Sequence, residues 1–372
     1  MIWNNEYISL KRETTTGVTV QPNKNIKVEK STLNTKVNTR AISQIEGKTF
    51  SPAQLIKGTV ESTWSIDAFV DRENILYFLN MLTDTPTPTS LGWGLYQYDF
   101  NIETSYGLPS YTIEVSKDWN ILRSNWVVCS SLNLTSDTEA IKMTAELLGL
   151  KSIFAATVTA NSADTITIAK DQAALVVAGD VLVEIGTAAE ATPANDATVV
   201  SVNYTTWEIT VGTWEGTYFT AGKWITLKKA ATSYTSWLKV LRWLEKAIVT
   251  VWGTQIDAES FGIMITNENE AAFRLGSNYA KKIRQGQRMM ELDLQVDTEY
   301  SNELLRKYEN LETTPFTLTL TWDDSSSILI SWNIQFKEAP VDIAVNEFSS
   351  VPFKADFVDT IVVRVVTTIA SL

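Results

Sequence analysis

The stretch Thr63-Trp64-Ser65-Ile66-Asp67-Ala68-Phe69-Val70-Asp71 has a counterpart in Met290-Glu291-Leu292-Asp293-Leu294-Gln295-Val296-Asp297, and the two together decide the fold. Trp64, Ile66, Ala68 and Val70 alternate with Thr63, Ser65, Asp67 and Phe69. Met290, Leu292, Leu294 and Val296 alternate in the same way with Glu291, Asp293, Gln295 and Asp297. A period of two marks a strand with one face on a core. The period then changes. Asp71, a fitting N-cap, opens a helix with Ile75, Phe78, Leu79 and Leu82 on one face; Tyr300, Leu304, Leu305 and Tyr308 line a second helix. Strand and helix both superpose at an offset of 226 residues, so two periods stay in phase and the chain reads as a tandem duplication.

Each helix is followed by another alternating strand, Tyr111-Ile113-Val115 and then Phe316-Leu318-Leu320, now offset by 205. The first copy therefore carries 21 extra residues in its loop, Thr83 to Ser110, which holds Pro86, Pro88, Gly92, Gly94, Gly107 and Pro109. A long turn-rich loop that leaves the fold intact is expected to be functional or an assembly arm. Between the copies the composition shifts to Ala, Thr, Val and Gly. Strands are expected there at Thr165–Ala169, Val181–Ile185, Thr198–Val202, Trp207–Val211 and Trp224–Leu227. The organisation predicted is mainly β, with a sandwich module over 1–151, an inserted small barrel or sandwich over 152–235, and a second sandwich module over 236–372, each module with one flanking helix.

Composition narrows the chemistry. The chain has 372 residues and no histidine, which removes Ser-His-Asp and Cys-His nucleophiles and histidine zinc sites. No phosphate-binding glycine loop, dinucleotide fingerprint, Cys-x-x-Cys pair or EF-hand loop is present, so no cofactor, metal or catalytic residue is assigned. The single cysteine, Cys129, lies in an apolar run and reads as a small core residue. Net charge is −12, and the short basic stretch Lys281-Lys282-Ile283-Arg284 reads as a solvated turn rather than a nucleic-acid grip. No apolar run approaches the roughly 20 residues that would span a bilayer, and the N-terminus does not read as a signal peptide, so no membrane insertion is expected. Asp323-Asp324 reads as a hairpin turn, Trp64, Trp126, Trp252, Trp322 and Trp332 as core, and Trp93, Trp207, Trp214 and Trp224 as the tryptophans free to meet a ligand.

The opening Ile8-Ser9-Leu10-Lys11-Arg12-Glu13-Thr14-Thr15-Thr16-Gly17-Val18-Thr19-Val20-Gln21-Pro22, with the strand Ile26-Lys27-Val28-Glu29 after it, resembles the start of siphophage tail tube (major tail) proteins. The Gly58–Val70 strand leading into a helix, the Ser260–Ile265 strand, the Ile283-Arg284-Gln285-Gly286-Gln287-Arg288 turn and the closing Val351-Pro352-Phe353-Lys354-Ala355 look like the same family. The resemblance covers most of the chain outside the insert. It implies tail-tube-type sandwich modules that self-assemble into stacked rings, a virion protein made in the host cytoplasm, and DNA passing through the lumen without specific binding. It also implies a tape measure protein and tail terminator or distal tail proteins as partners. With two modules per chain, a trimeric ring with pseudo-sixfold symmetry is favoured over a hexamer. Glu61, Asp67, Glu291, Asp293 and Asp297 are the candidate lumen-facing acids, since carboxylates repel phosphate. They would equally suit a face turned to solvent or to a neighbouring subunit. The rival readings are a β-rich carbohydrate-binding or adhesion module, a two-carboxylate glycoside hydrolase, and a distal tail or baseplate ring protein.

Overall fold

Alternation of apolar and polar residues carries through almost every strand, and the described strands assemble into one continuous sheet system of 17 strands, a closed six-stranded barrel and a small two-stranded sheet. The computed structural model describes residues 7–42, 54–83, 85–102, 108–117, 120–136, 140–153, 156–185, 196–213, 215–219, 221–228, 247–274, 279–322, 325–339 and 350–370. Asp323, Asp324, Trp214, Gly107 and the 235/236 boundary lie outside the described residues, as does the side chain of Tyr300.

The first half contains β1 (Tyr7–Arg12), β2 (Lys24–Ile26), β3 (Lys30–Ile42), β4 (Gln54–Phe69), α1 (Asn74–Leu82), β5 (Thr89–Gly92), β6 (Leu95–Asn101), β7 (Tyr111–Lys117), β8 (Asn120–Ser136), β9 (Ile141–Gly149) and β10 (Lys151–Ile153). The insert holds β11 (Ala156–Asn161), β12 (Thr165–Ile168), α2 (Lys170–Ala173), β13 (Val181–Ile185), β14 (Asp196–Asn203), β15 (Glu208–Val211) and β16 (Trp224–Lys228). The second half contains β17 (Ala247–Val251), β18 (Thr254–Ile256), β19 (Ala258–Asn267), β20 (Glu270–Ala272), β21 (Lys282–Arg284), β22 (Arg288–Asp297), α3 (Thr298–Glu309), β23 (Thr314–Thr321), β24 (Ser327–Glu338) and β25 (Ser350–Thr367).

The halves repeat one pairing scheme. Leu10 lies opposite Ile113 in β1–β7 as Val249 lies opposite Leu318 in β17–β23. Ile66 faces Ala145 and Leu292 faces Ala355; Leu132 faces Ala145 and Phe336 faces Ala355. Even a single bond is conserved between them: Glu13 N–H donates to the Ser110 carbonyl, and Trp252 N–H to that of Pro315, each at 2.8 Å. In each half the inward residues of two layers interdigitate as a sandwich. Together they form one core that includes Trp64, Phe78, Phe100, Phe316, Phe336 and Phe353.

The two halves join edge to edge. Residues 131–135 of β8 pair with 266–262 of β19, so β3, β4, β9, β8, β19, β22, β25 and β24 form one eight-stranded sheet in that order. The helices differ because of this junction. Every residue of α1 is buried, not the one face the sequence suggests; Asn267 of β19 donates to the Leu82 carbonyl (3.1 Å), and Asn80 is bonded to Tyr111 and Thr85. Asp71 is not the N-cap the sequence suggests: α1 begins after Glu73, whose side chain makes no cap bond, and Asp71 accepts from Glu73 N–H (3.2 Å) just ahead of the helix. In α3, Leu304 is buried while Glu303, Arg306 and Glu309 stay exposed.

Four readings of the sequence are refined or corrected. The long loop is not irregular: it folds into the β5–β6 hairpin, because Gly92 and Gly94 supply left-handed backbone at its tip, and β6 pairs with β25 of the other half. Trp252 is 55% exposed rather than core, since it sits in the tight β17–β18 turn with φ of 56°. Trp126, also at positive φ (47°), is half-buried, its ring lying so close to Gly17 that a Cβ there would come within 2.7 Å. The Lys281–Arg284 stretch, read as a turn, supplies the short exposed strand β21.

Candidate assembly surface

One face of the eight-stranded sheet packs on the core, and the other is mainly polar, with Met264 and Met289 exposed among its charged residues. Alternation places Glu61, Asp67, Glu291, Asp293 and Asp297 together on that polar face, between buried neighbours Val60, Ile66, Ala68, Leu292, Leu294 and Val296. Glu61 is partly roofed: the chain around β20 crosses it, forming a groove with Thr63, Ser130, Glu146 and Phe273.

The acids are interleaved with lysines in register. Lys30 lies opposite Asp67, Lys36 opposite Glu61 and Lys354 opposite Asp293. Glu291 and Asp356 are directly opposed like charges, an arrangement that repels. Lys337 of β24 resolves it, its Nζ 2.7 Å from a carboxylate oxygen of each. Those two hydrogen bonds hold the Lys337 ammonium well above its ordinary pKa. Asp67 also accepts from the Thr144 hydroxyl at 2.9 Å. Among the described residues, the first half contributes Glu61, Asp67 and Glu146 against Lys30, Lys36 and Lys142, a balance of zero. The second contributes Glu291, Asp293, Asp297, Glu338 and Asp356 against Lys337 and Lys354, a balance of −3.

Both ends of this sheet are open edges. Among the described residues β3 pairs only with β4, and residues 335–338 of β24 pair only with β25. The edges match the closed junction in the middle. The paired strand registers place Phe336 at the position of Leu132 (offset 204) and Leu33 at that of Ile265 (offset 232). Leu132 and Ile265 are opposed in the junction.

The insert is held to the first half by a buried ion cluster that sequence reading missed. Arg123 of β8, 3% exposed, donates to Glu114 of β7 (2.7 and 3.0 Å), to both oxygens of Asp180 (2.6 and 2.8 Å) and to the Leu175 carbonyl (3.0 Å). Asp180 also accepts from Val177 N–H, and Tyr7 donates to Glu114. Two flanking bonds, Thr19 to the Ala174 carbonyl and Gln21 to that of Gly179, add the segment after β1. The available signal was an arginine between Leu122 and Ser124 in a strand whose neighbour offers Glu114. Its second carboxylate, 57 residues away, left no local pattern.

Among the tryptophans, Trp64, Trp322 and Trp332 are buried as expected. Trp93 and Trp224 are exposed, and the ring of Trp207 is half-buried with the Lys170 ammonium 4.7 Å from its centroid. They lie on different elements and converge on no common site.

The profile of the phage tail tube protein family matches residues 3–355, nearly the whole chain and across the insert. The chain belongs to that family. It is therefore a structural protein of a phage tail whose family assembles into tubes. None of the curated proteins compared with it matches the chain. Among the described residues no helix is long and apolar enough to cross a membrane, and no cluster of metal-ligating side chains occurs.

Proposed function

We propose that this tail tube protein closes into rings of three chains, with β24 of each chain pairing with β3 of the next, and that the rings stack into the tube of a long non-contractile tail. The observation that carries the reading is the β8–β19 junction, an edge contact already made once within each chain. Repeating it between chains sets Leu33 opposite Phe336 and Asn34 opposite Gln335. Strand spacing of about 4.8 Å decides the number of chains. Twenty-four strands, three chains of eight, give an untilted backbone diameter of roughly 37 Å, wide enough for a duplex once side chains are added; six chains would double it.

In this arrangement the polar face, with Glu61, Asp67, Glu291, Asp293 and Asp297, lines the bore. Lys337 and Lys354 are engaged by neighbouring carboxylates, and Lys30 and Lys36 lie opposite Asp67 and Glu61, so cations on this face are interleaved with acids and the residual negative balance opposes adhesion. DNA would pass without specific binding. The tape measure protein would occupy the bore before ejection, and terminator and distal tail proteins would cap the two ends. The chain would be made in the host cytoplasm and used in the virion, with the modules spanning 1–151 and 236–372 and the 152–235 barrel decorating the outside.

The test is an engineered disulfide. Asn34→Cys with Gln335→Cys, oxidised in assembled material, is expected to give a covalent ladder ending at three chains on a non-reducing gel. A ladder ending at six, or no ladder from assembled rings, would sink the trimer. The native Cys129 is fully buried and its thiol is held up in pKa by burial, so it does not interfere.

A further inference from the structure

The β5–β6 hairpin belongs in sequence to the first half but extends the outer sheet of the second. Val362 to Thr367 of β25 pair with Asn101 to Tyr96 of β6. Its base is firmly seated: Tyr98 and Phe100 are fully buried, Arg364 contacts Asp99 at 2.7 Å, and the Tyr98 hydroxyl donates to the Ile369 carbonyl. Its tip is the reverse. Gly92, Trp93 and Gly94 have φ of 85°, 53° and 75°, and this run of left-handed backbone turns the Trp93 side chain wholly into solvent, with Leu91 half exposed beside it. A rigid hairpin that ends in a fully exposed indole is built to meet an apolar surface.

Such a surface lies at the opposite end of the same outer sheet. Trp252, in the β17–β18 turn, and Leu311, just past α3, are 55% and 62% exposed. Trp252 is braced from beneath by the Lys307 ammonium, 3.2 Å from its ring centroid, which fixes the ring and leaves its other face open. The registers place Pro315, Asn333 and Val358 at this end, and Thr367 and Tyr96 at the other. Nine residues of β25 and three more of the hairpin separate the two ends, roughly 40 Å of strand.

Among the described residues the two features occur once each. The position equivalent to Trp252 in the first half is Glu13, buried and bonded to its own loop, Ser110, Thr112 and Trp126, so that position is already covered. One knob and one bare apolar end, facing opposite ways on one sheet, are the two halves of a heterologous contact that does not close.

We propose that Trp93 of one chain docks on the Trp252–Leu311 surface of a chain in the adjacent ring, and that this head-to-tail contact drives stacking of rings into a tube. The inference rests on the ring reading above and assigns the partner of the long loop as a second copy of this chain. Full-length Trp93→Ser and, separately, Leu311→Asp are to be compared with the wild type by light scattering and electron microscopy. Expected are rings of wild-type size, with the concentration needed for tubes raised roughly tenfold or more. Tubes of normal length at normal concentration from either variant would overturn the proposal. A second measurement keeps it falsifiable if a variant folds poorly. Trp93→Cys with Leu311→Cys, oxidised in assembled tubes, should yield covalent species larger than one ring. Cross-links confined to ring-sized species would refute the stacking contact while leaving the ring intact, whereas wild-type protein that never forms rings would remove both.

Discussion

The outer sheets of the two halves share one register and have opposite surroundings. In the first, the outward residues of β7, Thr112, Glu114 and Ser116, are buried, covered by the loop after β1 and by the insert with its Arg123 cluster. In the second, Thr317, Thr319 and Thr321 of β23 remain half-exposed at the same positions. The strand frame is therefore set by the alternating core residues alone. What lies outside that frame can be rebuilt, and the first half used the freedom to fix an added domain rigidly.

The sharpest way to break the comparison is at Arg123. Removing it leaves Glu114 and Asp180 buried without a counter-charge, and Arg123→Ala is expected to cost about 3–5 kcal/mol in urea unfolding. Arg123→Met with Glu114→Leu should recover much of that, because fewer unpaired charges stay buried. If the single change costs under about 1 kcal/mol, the insert is not held by this cluster. No equivalent substitution in the second half should approach the effect, since β23 carries threonines there.

Glu13 and Trp252 sharpen the contrast at equivalent positions. Glu13 is buried and accepts from Gly17 N–H, the Ser110 hydroxyl, the Thr112 hydroxyl and Trp126 N–H at 2.6–3.0 Å. Burial raises its pKa above the ordinary 4.5, and those four bonds pull it only part of the way back. The native state thus holds the Glu13 proton more tightly than the unfolded chain. Its contribution to stability is fullest below pH 4.5 and falls as pH climbs from there to the raised value. Glu13→Gln should cost about 1–3 kcal/mol at pH 4.5, because its amide turns N–H groups toward donors, and the gap to wild type should narrow as pH rises. A gap that widens over that range would show the bonds outweighing burial. Beneath Trp252 the opposite result is expected. Lys307 Nζ is buried with no hydrogen-bond partner, and Glu303 lies 3.9 Å away. Lys307→Met should stabilise the fold by about 1 kcal/mol in thermal unfolding.

Periodicity made the frame legible: Trp64, Ile66, Leu292 and Leu294 declared both strands, and the helices after them fixed the repeat. The register between halves was not legible, because Leu132 opposite Ile265 depends on tertiary pairing that no local pattern encodes. Trp252 was misread because an apolar strand pattern says nothing of where the strand turns, and only the backbone there, at positive φ beside Gly253, turns the ring outward. The five acids lie on one face of the folded sheet. The lysines opposite them come from strands distant in sequence, which is why a carboxylate lining read from single strands becomes a mixed face in the folded sheet.

That mixed face holds the smallest of these contrasts, between a neutral first half and an acidic second. Lys337 is the one side chain that relieves an opposed pair of like charges, Glu291 and Asp356, and it is itself about one-third exposed. Solvent screens the interaction, so Lys337→Met is expected to cost only about 0.5–1 kcal/mol at low salt, measured by urea unfolding, and less as salt rises. In the first half, Lys36→Met opposite Glu61 should be nearly silent, because no second carboxylate is pressed against Glu61 across the strands. If the two changes cost the same at every salt concentration, the charge asymmetry carries no energetic weight. If only Lys337→Met is salt-sensitive, the second half is the part of the face where carboxylates are held close against their own repulsion, and it is there that a passing phosphate would feel the stronger field.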